Sequence, residues 1–396
     1  MKKVVLAFSG GLDTTYCAKH LSDDLGYEIY SAIVNTGGFD AAELKDVEKK
    51  AYELGVKEHQ AIDVIDAFYN DCLKYLIAGN ILKNNTYPLS VSAERVFQAM
   101  AIADYANKVG ADAIAHGSTG AGNDQVRFDL VFHILCPDKE IITPIRDNKL
   151  SREEEIEFLK AKGVERDWTK SIYSINKGIW GTSVGGKETL NSYDYLPEEA
   201  FPTEITKHHT SEELFIDFEG GEPVGVNGEK MSPVEAILKI EEIAAPYGVG
   251  RDIHVGDTII GIKGRVGFEA PAPVVILKAH HALEKHVLTK QQIIIKDQLA
   301  SYYGSMVHEG QFLEPAMRNV EQLLEDTQKN VTGKVRVFLA PHRFYVMGIE
   351  SDFDLMSDKF GSYGEMNNAW SGDDVKGFSK VLGIQPSIWR KINSTN

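Results

Sequence analysis

The stretch that decides the fold is VVLAFSGGLDTT at residues 4–15, a continuous apolar run followed at once by small and polar residues. The run is typical of a buried strand, and the two glycines let the backbone turn tightly and approach a ligand closely. A helix that begins directly after such a turn points its free N–H groups and its positive end at the turn, which favours a bound anion. We therefore predict a strand, a polyphosphate-binding turn and a helix; an ordinary capped turn is the alternative.

Composition narrows the class of protein. A chain of 396 residues with 43% hydrophobic residues is too long for a single core of ordinary size, so we predict two domains and an appended tail. The formal charge of -16 disfavours a nucleic-acid partner, and the apolar runs are too short to span a membrane. The three scattered cysteines, Cys17, Cys72 and Cys136, predict neither a disulfide scaffold nor a redox pair, so we expect a cytoplasmic protein.

The first part of the chain alternates short apolar runs with helical patterns. This alternation predicts an α/β fold with an N-terminal doubly wound parallel sheet, in which ligands bind beyond the carboxyl ends of the strands. Both Ser9–Thr15 and His116–Asp124 follow such strand ends. The predicted strands are Val4–Phe8, Ile29–Val34, Glu58–Val64 and Ala111–His116, and the predicted helices include residues 41–54 and 93–109.

After about residue 165 the pattern becomes mixed, which predicts a second, α+β domain. The predicted boundaries are a nucleotide-binding domain at 1–165, the second domain at 166–362 and a C-terminal helical tail at 363–396. The amphipathic pattern of Asp373–Asn396 is typical of a helix that packs on another subunit or, equally, on its own domain. The predicted elements of the second domain are strands at Glu213–Phe218, Thr258–Ile262 and Val274–Leu277, and helices near 232–244 and 288–303.

The turn after the first strand resembles the pyrophosphate loop of the N-type ATP pyrophosphatases, which cleave ATP between its α- and β-phosphates. The last hydroxyl of that loop is usually a serine, and Thr15 keeps the hydroxyl. The resemblance implies an adenine nucleotide alpha hydrolase-like fold and a loop that holds the leaving pyrophosphate. It places at ATP the residues Ala7, Phe8, Ser9, Gly10, Gly11, Leu12, Asp13, Thr14 and Thr15.

Two further stretches, YPLSVS at 87–92 and AHGSTGAGNDQVRF at 115–128, resemble the substrate motifs of the argininosuccinate synthases. Singly, each is also compatible with a flexible loop, a helix cap or a half-buried aromatic; their shared order favours the resemblance. By position, it implies ATP contacts at Val34 and Gly117, aspartate contacts at Thr119, Asn123 and Asp124, and citrulline contacts at Tyr87, Ser92, Asn123 and Arg127. The predicted catalytic residues are Asp13, Asp124 and Arg127.

The resemblance continues more loosely into the second domain, where SINKGIWGTS at 174–183 implies citrulline contacts at Ser174 and Ser183. Two positions depart from the family. Gly256 stands where a citrulline-binding Glu is usual, and Phe268 stands where a citrulline-binding Tyr is usual. Loss of one partner of a desolvated charge pair weakens binding strongly. Three explanations remain open: Asp257 takes over the role, the α-nitrogen of the citrulline is acylated, or the difference has no functional consequence.

The resemblance implies an ATP-dependent ligase that joins citrulline to aspartate and releases AMP and pyrophosphate. Mg²⁺ is expected on the ATP phosphates with one or two carboxylates, for which Asp13 and Asp124 are candidates; the sequence does not identify the metal ligands. The family is usually a homotetramer, in which the second domain and the tail serve multimerisation. Histidine pairs at 208–209 and 280–281 fit packing better than metal binding, because adjacent side chains diverge.

Two other functions remain as alternatives. A tRNA-modifying N-type ATP pyrophosphatase would use the same loop, but the net negative charge and the scattered cysteines disfavour it. The second is a protein that senses ATP or an amino acid without turnover. The intact loop together with Asp124 and Arg127 favours catalysis over sensing.

Overall fold

The structure is a computed structural model that describes residues 1–168, 173–356 and 369–394. Met1–Ser351 form one compact unit, and Asp352–Asn396 form another. The predicted boundary between residues 362 and 363 and the last two residues of the predicted tail helix lie outside the described residues. Within the described ranges, no helix has the length and apolar character that crossing a membrane requires.

The strands run in chain order through both halves of the first unit. They are β1 Lys3–Ala7, β2 Glu28–Asn35, β3 Glu58–Asp63, β4 Ala113–Ala115, β5 Glu140–Ile142, β6 Ser174–Gly178, β7 Gly181–Gly185, β8 Glu212–Glu219, β9 Glu222–Val226, β10 Glu229–Lys230, β11 Arg251–Asp257, β12 Lys263–Glu269, β13 Gly333–Ala340 and β14 Arg343–Glu350.

The helices lie between these strands and in the second unit. They are α1 Leu12–Lys19, α2 Ala41–Glu53, α3 Ile65–Phe68, α4 Lys74–Ala78, α5 Ser90–Lys108, α6 Asp124–Leu135, α7 Pro144–Asn148, α8 Arg152–Ala161, α9 Pro233–Ala244, α10 Pro271–Val287, α11 Lys290–His308, α12 Pro315–Gln328, α13 Gly372–Leu382 and α14 Ile384–Asn393. Short π-helical segments, His20–Asp24 and Tyr69–Leu73, extend α1 and join α3 to α4.

The N-terminal sheet has the order β3-β2-β1-β4-β5, and all its pairs are parallel. β1 is central and is covered on both faces, which explains its unbroken apolar run, because Val4, Val5 and Leu6 are all fully buried. The strand order reverses between β1 and β4, and this reversal opens a crevice at their carboxyl ends. The predicted doubly wound α/β fold is confirmed, and the two polar loops of the sequence flank this crevice.

The second half of the first unit contains two antiparallel sheets, of order β10-β9-β8-β13-β14 and β11-β12-β7-β6. The strand predicted at Glu213–Phe218 is β8, but two other predicted strands are wrong. Val274–Leu277 lies inside α10, since Pro271 starts a helix whose apolar side chains continue to Val287 at helical spacing. Thr258–Ile262 is the turn between β11 and β12, which Gly261 closes at a φ of +88°.

Candidate active site

The turn predicted to bind pyrophosphate, Ser9–Thr15, joins β1 to α1. Gly10 has a φ of +76°, a left-handed conformation that favours glycine, and Gly11 is the N-cap of α1. The Ser9 and Thr14 hydroxyl oxygens are 3.4 Å apart, and the Thr15 hydroxyl is buried without a hydrogen-bond partner among the described residues. Hydroxyls and the first N–H groups of a helix therefore surround one turn, an arrangement suited to a phosphate.

The side chain of Asp13 meets Glu155, because α8 packs against α1. The two carboxyls hydrogen-bond to each other. Burial, and then the charge of Asp13, raise the pKa of Glu155 to about 8, and burial raises the pKa of Asp13. Glu155 Oε2 is buried and receives no N–H or O–H from the described part of the chain. Sequence reasoning missed Glu155, because Arg152–Ala161 has the pattern of an ordinary surface helix with a capping box.

The second polar loop, His116–Asp124, approaches the first at Gly117. A Cβ atom on Gly117 would lie 3.2 Å from the Asp13 carbonyl carbon and 3.3 Å from the Thr14 nitrogen. The loop is held at its start by His116, whose Nδ1 accepts from the Ser118 N–H at 3.2 Å and whose Nε2 lies 2.9 Å from Asp129 Oδ1. The sequence-predicted residues Asp13 and Gly117 are therefore brought into contact at the crevice.

Asp124 and Arg127 form an ion pair at the start of α6, with a third member that the sequence reasoning missed. Asp124 accepts from Arg127 Nη1 and from Arg95 Nε, each at 2.9 Å. Burial raises the pKa of Asp124, but the two guanidiniums outweigh it and hold that pKa below its usual value. Arg95 also donates to Asn176 Oδ1 at 2.9 Å, which ties α5 to β6. Asp124 is thus a charged anchor for two arginines and fits poorly as a metal ligand.

The Tyr87 hydroxyl orders the start of α5. The phenol oxygen accepts from the Val91 N–H at 3.1 Å and the Ser90 hydroxyl at 3.3 Å. Ser92 donates to the Leu89 carbonyl oxygen at 3.4 Å. Tyr87 and Ser92, two of the predicted citrulline contacts, are buried. Their remaining hydrogen-bonding capacity is one phenolic proton and the serine lone pairs.

The other predicted site residues differ in how they are placed. Asn123 Oδ1 accepts from the Ile259 N–H at 2.9 Å, so it fastens the β11–β12 turn to the second loop. Ser183 is buried on β7, in register with Phe268 of β12. Thr119 and Ser174 are exposed. Val34 is buried near the end of β2, with its side chain in the core.

The two positions that depart from the family lie on neighbouring strands. Phe268 is buried, with its ring centroid 5.6 Å from that of Tyr87. Gly256 is buried on the inner side of β11, while the next residue, Asp257, is exposed and pairs with Lys263. Because side chains alternate along a strand, Asp257 faces away from the side on which a side chain at Gly256 would project. The proposed takeover by Asp257 therefore needs a change of register.

The histidine pairs are consistent with packing. His280 is fully buried, with Nδ1 2.6 Å from Asn80 Oδ1 and Nε2 2.8 Å from Gln328 Oε1, and His208 and His209 are exposed. No group of three or more His, Cys, Asp or Glu side chains able to hold a metal occurs in the described ranges.

Comparison with known proteins matches almost the whole chain. Residues 3–165 match the family model described as "Arginosuccinate synthase N-terminal HUP domain", and residues 173–389 match "Arginosuccinate synthase C-terminal domain". The argininosuccinate synthase of Methanocaldococcus jannaschii is 39% identical over 97% of this chain and 97% of its own. The enzymes so named from Pyrococcus furiosus and Sulfurisphaera tokodaii are 38% and 35% identical, over 97% and 98% of this chain and 93% and 99% of theirs.

Proposed function

The chain belongs to the argininosuccinate synthase family, and on that premise we propose which of its residues carry the reaction. It is an ATP-dependent ligase that joins citrulline to aspartate in arginine biosynthesis, with release of AMP and pyrophosphate. No observation favours tRNA modification or a sensor without turnover. The resemblance found in the sequence is confirmed over nearly the full chain.

In the first step, the ureido oxygen of citrulline attacks the α-phosphorus of ATP, and pyrophosphate leaves into Ser9–Thr15. The observation that carries this assignment is the contact of Gly117 with the backbone at Asp13. That contact sets the second loop directly against the turn that would hold the β- and γ-phosphates. The buried Thr15 hydroxyl, which lacks a partner among the described residues, supports it, because such a group is costly unless a ligand completes it.

Asp13 and Glu155 fit a Mg²⁺ ion beside this turn and would hold it together with the phosphates of ATP. Burial raises the pKa of both carboxyls, and a divalent ion between them would favour their charged forms. Asp124 does not fit the same role, since both of its oxygens accept from arginines. When bound, the ion neutralises charge that develops on the phosphates.

In the second step, the amine of aspartate displaces AMP from the citrullyl-adenylate. We place aspartate at Thr119, Asn123 and Asp124, and citrulline at Tyr87, Ser92, Asn123, Arg127, Ser174 and Ser183. We place the adenosine of ATP at the end of β2, beside Val34. Besides its place at aspartate, Asp124 holds Arg127 and Arg95 in position, and Arg127 contacts citrulline. Catalysis rests on alignment of the reacting groups and on neutralised phosphate charge.

The assembly is a homotetramer to which the tail contributes, and it works in the cytoplasm. Apolar side chains of α13 and α14 are exposed within the second unit, among them Phe378 at 68% and Trp389 at 68%. Exposed apolar faces of this kind mark interaction surfaces. The domain boundaries remain those predicted from the sequence, at 165 and 362. Cys17, Cys72 and Cys136 are free and buried, as suits a reducing compartment.

The test is pyrophosphate release by the purified protein with Mg-ATP, aspartate and either citrulline or an Nα-acylated citrulline. Release that requires both amino acids supports the proposal. Asp13→Asn should abolish it without a change of oligomeric state. The proposal fails if no citrulline compound supports pyrophosphate release.

A further inference from the structure

Four basic side chains, Lys83, Arg127, His254 and His308, lie close together around Tyr87. The backbone N–H of Lys83 donates to the Tyr87 carbonyl oxygen at 2.7 Å, which forms an isolated β-bridge between the two residues. The His254 ring stacks on the Tyr87 ring with centroids 5.1 Å apart. Arg127 donates to the His308 carbonyl oxygen at 3.0 and 2.8 Å. A chain with a net charge of -16 thus gathers basic groups at one end of its citrulline site.

Of these four groups, Arg127 alone pairs with an acid, Asp124, in the described part of the chain. Lys83 Nζ donates to the neutral Ser305 hydroxyl at 3.2 Å and forms no ion pair in the described part of the chain. His254 and His308 are only 5% and 8% exposed, yet Nδ1 of each lacks a hydrogen-bond partner among the described residues. Buried polar atoms without partners are uncommon in native proteins and point to a group that is absent here.

The His254 ring and the Asn84 amide lie where a side chain on Gly256 would project. A Cβ atom on Gly256 would lie 2.6 Å from His254 Nε2 and 3.3 Å from Asn84 Nδ2. The His254 imidazole and the Asn84 amide therefore lie where the glutamate that is usual in the family would place its side chain. Asp257 faces outward and pairs with Lys263, and Lys83 adds a smaller effect in lowering the pKa of that carboxyl. The position is suited to an acceptor or an anion, and it repels an ammonium group.

We propose that Lys83, His254 and His308 form a subsite for a carboxylate that an acyl group carries on the α-nitrogen of citrulline. Acylation removes the positive charge of the α-amino group, and a dicarboxylic acyl group adds a negative charge at its far end. Lys83 is the cation for that charge, and the two imidazoles supply donors. Arg127 remains available for the α-carboxylate. This inference rests on the proposed function and names its substrate more closely.

The experiment compares pyrophosphate release with Mg-ATP and aspartate for citrulline, Nα-acetyl-citrulline and Nα-succinyl-citrulline. The proposal predicts that kcat/KM for the succinyl compound exceeds that for the acetyl compound by about 10- to 100-fold, as for a hydrogen bond to a charged group. Lys83→Met should remove this difference and leave turnover of the acetyl compound. Lys263→Met, on the outer side of the same hairpin, is the matched control and should change nothing.

A double variant, His254→Ala with Gly256→Glu, guards against a Lys83 variant that fails to fold. The Gly256→Glu change restores the carboxylate that is usual in the family, and His254→Ala removes the ring that this glutamate would otherwise strike. The double variant should therefore shift substrate preference toward free citrulline. Turnover of free citrulline equal to that of the acylated compounds would overturn the proposal, and so would an effect of Lys263→Met as large as that of Lys83→Met. Free succinate distinguishes a separate effector site: activation of free-citrulline turnover by succinate, lost in Lys83→Met, would also overturn the proposal. If none of the three compounds supports release, the proposed function itself fails.

Discussion

Replacement of Gly117 by alanine tests whether the two polar loops act as one ATP site. Gly117 has no positive φ, so alanine is allowed by the backbone and its effect comes from space alone. Its Cβ would approach the Asp13 carbonyl carbon and Cβ to 3.2 Å and the Thr14 nitrogen to 3.3 Å, whereas ordinary contacts start at 3.4 Å. The turn must therefore retreat by a few tenths of an ångström.

The free-energy cost of Gly117→Ala appears mainly when ATP binds. The Ser9–Thr15 turn can relax in the free protein, but it must regain its original geometry to bind the phosphates. Added volume in a packed site costs about 1–3 kcal/mol. The backbone here has to move only slightly, so we expect about 1–2 kcal/mol, which is a factor of about 5–30 in kcat/KM for ATP. The assay is pyrophosphate release at saturating amino acids with varied ATP.

Gly122→Ala is the matched control, since it lies in the same loop and a Cβ there meets nothing within 4 Å. We expect its kcat/KM for ATP to stay within about twofold of the wild type. Melting temperatures of both variants establish that the fold is kept. Equal losses in the two variants, or no loss in Gly117→Ala, would refute the contact between the loops as a functional feature.

Three further predictions address other parts of the molecule. Tyr87→Phe leaves the buried Val91 N–H without its acceptor, so chemical denaturation should report a free energy of unfolding lower by about 1–3 kcal/mol. The KM for citrulline should also rise. An unchanged denaturation midpoint would contradict this prediction. Burial and Asp13 raise the pKa of Glu155 from 4.5 to about 8, so the folded state holds a proton that the unfolded state releases, and stability should fall as pH rises through this range. Glu155→Gln should flatten the melting temperature between these pH values, and an unaltered slope would count against the carboxyl pair. A chain ended at Ser351 should stay folded but sediment as a smaller species than the full chain, whereas the same sedimentation coefficient would exclude the tail from assembly.

The N-terminal fold was predictable because its signals are local. Apolar runs, glycine turns and amphipathic helices alternate, and each strand from β1 to β4 lies within a few residues of its predicted position. The helix at Val274–Leu277 was not predictable, since four apolar residues fit a strand or a helix equally. The helical assignment becomes clear only when the apolar spacing is followed from Pro271 to Val287. The strand predicted at Thr258–Ile262 was wrong because these residues form the turn of a hairpin that pairs Asp257 with Lys263. The composition of the five turn residues does not specify that pairing.

The candidate site divides in the same way. Residues of the contiguous motifs, such as Asp13 and Gly117, could be named from the sequence because their chemistry follows from neighbours along the chain. Glu155, Arg95 and His308 could not, since each comes from a helix with an ordinary pattern and enters the site only through packing. Long-range contacts of this kind leave no periodic signal in a single sequence.

The central claim is that the ureido oxygen of citrulline attacks the α-phosphorus of ATP and that pyrophosphate leaves into the turn after β1. The most direct measurement uses citrulline, and its Nα-succinyl derivative, labelled with heavy oxygen in the ureido group. The account predicts that AMP formed during turnover carries the label and that pyrophosphate does not. Unlabelled AMP, or label in pyrophosphate, would contradict it.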